Sequence, residues 1–309
     1  MFEGIGQLGF RALWSPYLLA AITAIALLYW FAIGSRRERW FRESAPVPFG
    51  KQLSMIAGLT IFYMAQGGPV DLLGHMMFSW HMLSMALSYL VVPPLILYGA
   101  PDWMWRRIVG IPAVNWFVRR TMNPILTLLL FNMLFSLYHM PAIHDYVMTQ
   151  YAVHTVYYVA LLIASMMMWW NVMCPLPEYD RLSEIKKMGY VFANGVVLTP
   201  ACALIIFAGE PLFATYTDPV MWARALGYCV PASADAILAQ YGGPEAFAPV
   251  NLRGDQQLGG IIMKFTQEIM YGSVLFYNFM RWFRKENPSG KIDPIKPIES
   301  MEPAADPAK

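Results

Sequence analysis

Five histidines are the residues whose types and spacing point most directly to chemistry: His75, His81, His139, His144 and His154. Methionines accompany them. Met77, His81 and Met85 are spaced i, i+4, i+8, which on a helix puts them on one face, and Met82 follows at i+7 from His75. Toward His139, Asn132 and Ser136 share its face. Imidazole with thioether suits copper, the thioether favouring Cu(I), whereas imidazole alone also suits zinc or iron. The plainer reading is that methionines pack and that a histidine near a helix end bonds its neighbours. A second polar group lies near the C-terminus. Asp255 and Gln257 open an apolar run that carries Lys264, Gln267 and Glu268. Lys264 and Glu268 pair on their own helix in the simplest case; in the alternative, Glu268 balances or relays a bound cation. Asp255, Gln257, Lys264 and Glu268 are thus expected to shape the electrostatics of a cavity. Cys202 is either a small apolar residue or a thiolate ligand.

These residues need elements to position them, and the composition says which kind. The chain has 309 residues, 57% hydrophobic and 14% charged, well below the charged share of a soluble domain. Seven apolar segments, at about 17–34, 53–73, 74–98, 124–140, 151–174, 188–209 and 256–283, approach the length needed to cross a bilayer. Backbone groups in lipid need internal partners, so these segments are expected as helices. The segment at 53–73 is the weakest, because Gly67, Gly68, Pro69 and Asp71 interrupt it. Charge argues that it spans. Arg36–Lys51 is basic, the loop at Gly68–Asp71 has no Lys or Arg, and the stretch with Arg106, Arg107, Arg119 and Arg120 is basic again. Lys and Arg collect on the cytoplasmic side. The alternation predicts an all-α, polytopic integral membrane protein. Its fold is a seven-transmembrane-helix bundle over residues 1–285, with the N-terminus outside and the C-terminus cytoplasmic.

That topology puts every histidine toward the outer side. His75 opens the third span, His81 lies about 9 Å deeper, His139 closes the fourth, His144 sits in the loop and His154 lies one turn into the fifth. Residues 210–255 are expected as a long extracytoplasmic loop, and 286–309, rich in Pro and charge, as a disordered cytoplasmic tail. The first apolar stretch is followed by arginines rather than a small-residue cleavage site, so it reads as a retained anchor. Three cysteines form no C-x-x-C pair and no disulfide framework. Phosphate-loop, dinucleotide-binding, H-E-x-x-H and G-x-S-x-G motifs are absent, so no enzyme is expected. The basic clusters flank helices and act as orientation signals, so no nucleic-acid partner is expected.

Several segments together carry a family resemblance. Gly74-His75-Met76, Ser79-Trp80-His81-Met82-Leu83 and Val92-Pro93-Pro94-Leu95 are followed by Met168-Trp169-Trp170 and Pro175-Leu176-Pro177-Glu178. Ala193-Asn194-Gly195, Leu198-Thr199-Pro200-Ala201-Cys202-Ala203 and Asp255-Gln256-Gln257-Leu258-Gly259-Gly260 complete the set. From about residue 10 to 285 the chain resembles the CtaG family of assembly factors associated with caa3-type cytochrome c oxidases. It does not resemble the single-span, cysteine-bearing chaperones that share the name. The resemblance implies a multi-pass protein of a bacterial plasma membrane that contacts oxidase subunits and the lipid bilayer. It further implies copper delivery to the oxidase. Carried onto these motifs, His75, His81, His139 and His154 are the expected ligands, with His144 beside them and Met77, Met82 and Met85 as soft auxiliaries. A b-type haem protein, a metal-free scaffold and a copper or solute transporter stay open as alternatives, as does a homo-oligomer.

Overall fold

The structure is a computed structural model that describes residues 10–230, 232–248 and 250–287. Most of the expected tail falls outside those residues. Among the described residues every regular element is helical. The α-helices of eight residues or more are α1 (Pro16–Ile33), α2 (Phe49–Gln66), α3 (Pro69–Met76), α4 (Phe78–Ala86), α5 (Val92–Gly99), α6 (Asp102–Val109), α7 (Pro112–Thr121) and α8 (Pro124–Tyr138). They continue as α9 (Pro141–Met148), α10 (Tyr151–Met173), α11 (Glu184–Ile206), α12 (Pro219–Leu226), α13 (Ala234–Tyr241) and α14 (Leu252–Glu286).

Five stretches among the described residues are long and apolar enough to cross a membrane: Pro16–Ile33, Phe49–Met76, Phe78–Gly99, Tyr151–Met173 and Glu184–Ile206. A sixth is reached if α7 and α8, bent by 86°, count as one broken span. The last expected span lies inside α14, a 35-residue helix that carries Lys264 and Glu268. Large apolar side chains face outward along these helices, among them Leu28 and Trp30 on α1, Leu204 on α11, and Phe265, Ile269 and Phe276 on α14. Such a surface needs lipid, and the chain is a multi-pass membrane protein.

The boundary between the second and third spans differs from the sequence expectation. The chain breaks at Met77, whose backbone is extended (φ −137°, ψ 136°). His75 therefore ends α3 rather than opening the next span, and Met77 does not share the helical face of His81 and Met85. The reason is local. Pro69 starts a fresh helix after the Gly67-Gly68 interruption, and that helix closes before Phe78 starts α4.

Buried polar groups hold the bundle together. The α4–α5 span contains a π-helical turn at Leu87–Val91, followed by Pro93 and Pro94. Neither proline has an N–H, so the Tyr89 carbonyl has no partner in its own helix in either α or π register. Ser165 Oγ and Trp169 Nε1 of α10 donate to it instead, the indole at 3.1 Å. Asn132 of α8 donates to Asn194 of α11 at 2.8 Å. Asn171 of α10 donates to Thr127 at 2.9 Å, whose hydroxyl also meets Tyr190 at 2.9 Å. At the end away from the histidines, Lys187 is buried and pairs with Asp180 at 2.6 Å.

The expected long loop is a small helical lobe. Trp222, Leu226, Val230, Ile237 and Phe247 pack on Leu72, Leu73, Met76 and Met77. Tyr216 donates to the Gly74 carbonyl at 2.6 Å and Trp222 Nε1 to the Met76 carbonyl at 3.3 Å. Both acceptors belong to the last turn of α3, where carbonyls lack intrahelical partners. The lobe thus seals the histidine end of the bundle.

Removing both donors to Tyr89 with Ser165→Ala and Trp169→Phe strands a buried carbonyl. The double variant should lose about 1–3 kcal/mol in reversible unfolding from detergent micelles. An unchanged midpoint would show that the proline pair is satisfied in another way.

Candidate metal centre

The framework of the site starts at Asp255, in the first turn of α14. Its carboxylate accepts from the backbone N–H of Phe78 at 2.7 Å, from that of Ser79 at 3.4 Å, and from the Ser79 hydroxyl. An acid from a separate helix therefore caps α4, where unpaired N–H groups and the helix dipole both favour negative charge. Further along the same motif, Gln256 accepts from Leu212 N–H at 2.7 Å and Gln257 donates to the Ala208 carbonyl at 3.1 Å. Gly259 is required by close approach: a Cβ there would stand 2.7 Å from a Phe78 ring carbon and 3.0 Å from Met82. One stretch of α14 thus sets the height and rotation of the helix that carries His81 and Met82.

On the other side, Gly74 lets α3 touch α4, since an added Cβ would lie 3.1 Å from His81 Cα. The result is a buried group of three histidines. His81 and His144 have ring centroids 5.3 Å apart at 85°. His139 meets the Met82 sulfur through Nε2 at 3.2 Å, and its Nδ1 meets the Phe135 carbonyl at 2.8 Å. Tyr138 lies against all three, with centroids 5.7, 5.1 and 5.1 Å from His81, His139 and His144. Phe78, Phe213 and Tyr216 close the remaining sides. His81 Nε2 and His144 Nε2 are buried with no hydrogen-bond partner in the protein, while His144 Nδ1 faces Asp145. Buried polar atoms are normally paired, so these two nitrogens keep lone pairs that a ligand could use.

His144 lies on α9, beyond the spanning helices. Burial drives its ring toward the neutral form, against the pull of Asp145, and neutral imidazole is the form that binds metal. Asp145 stands 3.6 Å from His144 Nδ1. It also accepts from Ala214 N–H at 3.0 Å, Thr215 N–H at 2.9 Å and the Thr215 hydroxyl at 2.8 Å. Burial raises the Asp145 carboxyl, but His144 and these donors outweigh that and keep it below the usual carboxylate range. The tether places Phe213 and Tyr216 over His144.

The other two histidines form a neighbouring group. His75 and His154 have ring centroids 5.7 Å apart and line a cavity of about 400 Å³. The expected methionines divide. Met82 touches His139, whereas Met85 is buried in the main core and Met77 packs into the lobe with Trp222. The expected polar residues of the cavity divide as well. Asp255 is buried and caps α4, and Gln257 ties α14 to the end of α11. Lys264 bonds Thr199 at 2.8 Å and Glu268 at 2.6 Å, and Glu268 is 63% exposed on the outside of its helix, so it faces no chamber. Cys202 is buried in the apolar core.

Two side chains of a type that can ligate a metal, Asp71 and Cys229, lie beside His75 and escaped the sequence reading. Asp71 precedes His75 by one helical turn, a spacing visible in the sequence. Cys229 comes from the lobe and carried no local signal. The aromatic lining from Phe213 and Tyr216 was equally silent, because only the fold brings it to the histidines.

These features define a multi-pass helical membrane protein with a buried group of histidines at one end of its bundle. Residues 27–285 match the family model for the cytochrome c oxidase caa3 assembly factor (Caa3_CtaG), and the chain belongs to that family. Comparisons with curated proteins and with solved structures each give no match.

The cap on α4 is testable. Asp255→Ala should cost about 1–2 kcal/mol in thermal or denaturant unfolding, and Asp255→Asn, which keeps an acceptor oxygen, should recover part of it. Equal losses for both variants would show that the carboxylate acts otherwise than as a cap.

Proposed function

We propose that this protein assists assembly of a caa3-type cytochrome c oxidase by holding a copper ion as cargo in the His81–His139–His144 chamber and releasing it to an oxidase subunit. It acts as a carrier rather than a catalyst. The observation that carries this reading is the group of buried imidazoles in which His81 Nε2 and His144 Nε2 have no protein partner, while the third, His139, meets the Met82 thioether at 3.2 Å. Imidazole and thioether are the donors that copper favours, and mixed, neutral ligands release it more readily than a closed thiolate cage.

In this reading the helices make seven crossings of a bacterial plasma membrane, with the histidine end outside. Two features support it. Ser15, at the start of α1, bonds the Gly67 carbonyl at 2.7 Å near the histidine end, whereas α14 ends at Glu286 on the opposite side. That opposite end also gathers Arg106, Lys187 and Arg281, paired with Glu178, Asp180 and Glu184. Positive charge there matches a cytoplasmic face. A haem between two histidines is disfavoured, because Phe78, Tyr138, Phe213 and Tyr216 pack around the His81–His144 pair where a macrocycle would need room.

Purified protein titrated with Cu(I) against a chromophoric chelator should bind copper, and His81→Asn with His144→Asn should abolish that binding. In cells lacking the native gene, the same double variant should fail to restore caa3 oxidase activity. Copper-free wild-type protein, or full oxidase activity with the double variant, would overturn the reading. Met82→Leu separates ligation from packing. It keeps side-chain volume, so stability should change by less than about 1.5 kcal/mol, while Cu(I) affinity falls.

A further inference from the structure

The cavity beside the copper chamber contains donors of a different character. One ring nitrogen of His75, the Cys229 sulfur and an Asp71 carboxylate oxygen all lie within 4.8 Å of one another. His75 Nδ1 is 3.0 Å from the Asp71 carbonyl and 3.9 Å from the Asp71 carboxylate, so it serves as the N–H donor and leaves the lone pair of Nε2 available for coordination. A backbone carbonyl behind a metal-binding imidazole is the usual way to fix its tautomer. His154 faces His75 from α10, and its Nε2 is buried with no protein partner. All four side chains line the same cavity of about 400 Å³.

Their origins matter as much as their chemistry. Asp71 and His75 belong to α3, His154 to α10, and Cys229 to the lobe just after α12. Cys229 is held over the cavity by its neighbour, since the Tyr228 hydroxyl donates to the Thr149 carbonyl and its ring packs on Tyr151 at 5.6 Å. The sulfur reaches the α3 donors only because the lobe docks where it does.

We infer that Asp71, His75, His154 and Cys229 form a second metal site for a borderline divalent ion, with zinc the best match, that ties the lobe to the transmembrane bundle. Thiolate, imidazole and carboxylate are the three donor types zinc uses, and four such ligands complete a tetrahedral site. The His81 group offers thioether and imidazole but no thiolate, so the two sites differ in metal preference. Binding needs Cys229 as thiolate, its proton passing to solvent. The site goes beyond the copper reading and does not depend on it.

Cobalt(II) is the probe, because a tetrahedral thiolate complex gives a near-ultraviolet sulfur-to-metal charge-transfer band together with intense visible d–d bands. Full-length protein in lipid nanodiscs should develop both on titration with Co(II), and zinc should displace them. Cys229→Ser should lose the charge-transfer band and weaken zinc binding by on the order of ten-fold or more. His75→Asn should weaken both metals, and Cys174→Ser and Cys202→Ser should change nothing. Zinc should also raise the thermal midpoint of the wild type but not of Cys229→Ser, with the metal-free midpoints equal. The His81→Asn/His144→Asn variant should keep the cobalt spectrum, which separates this site from the copper chamber. A wild-type protein with no thiolate band, or a Cys229→Ser protein that keeps the band or the zinc affinity, would overturn the inference.

Discussion

The contact between Asp255 and the first turn of α4 is the constraint on which the histidine end depends. The chain breaks at Met77, and a helix that starts inside a bundle exposes N–H groups that water cannot reach. Asp255 satisfies two of them from another helix and adds a charge where the helix dipole favours it. Because α4 carries His81 and Met82, the cap also fixes where those donors stand. Gly259, one turn further along α14, lets the two helices close on each other. The Asp-Gln-Gln-Leu-Gly-Gly segment is therefore a structural clamp whose product is the geometry of a chamber elsewhere in the chain.

The same economy of polar groups runs through the bundle. The Pro93-Pro94 pair leaves the Tyr89 carbonyl open, and Ser165 and Trp169 of α10 close it. The Asn132–Asn194 bond joins α8 to α11. In a low-dielectric interior, unpaired polar atoms are costly, so these pairs fix which helices neighbour one another. Unpaired nitrogens remain on His81, His144 and His154, alongside other buried polar atoms without a partner, among them Tyr63 Oη, Trp170 Nε1 and Tyr271 Oη. The free lone pairs of the imidazoles are what a metal-handling protein would keep.

Much of this was legible in the sequence, for identifiable reasons. Helices were expected because the chain alternates long apolar runs with basic clusters, and the family was visible in motifs that now have physical roles. The grouping of histidines at one end followed from that alternation. The break at Met77 was not legible, because Pro69 and the glycines before it signal an interruption without saying where the next helix begins. The face shared by Met77, His81 and Met85 was an artefact of assuming one continuous helix. Glu268 was read as a cavity residue because an acid in an apolar run suggests an interior, yet its partner Lys264 lets it point outward. Cys229 was invisible in principle. It comes within reach of Asp71 and His75, more than one hundred and fifty residues before it in sequence, only when the lobe docks on α3.

The central claim is that copper sits on the imidazoles of the His81 chamber. X-ray absorption at the copper edge, on Cu(I)-loaded protein carrying Cys229→Ser, tests it most directly, because that substitution removes the thiolate of the neighbouring site. The account predicts imidazole scattering together with a sulfur shell from Met82, and loss of that sulfur shell in Met82→Leu. A spectrum with no imidazole contribution, or a sulfur shell unchanged by Met82→Leu, would contradict it.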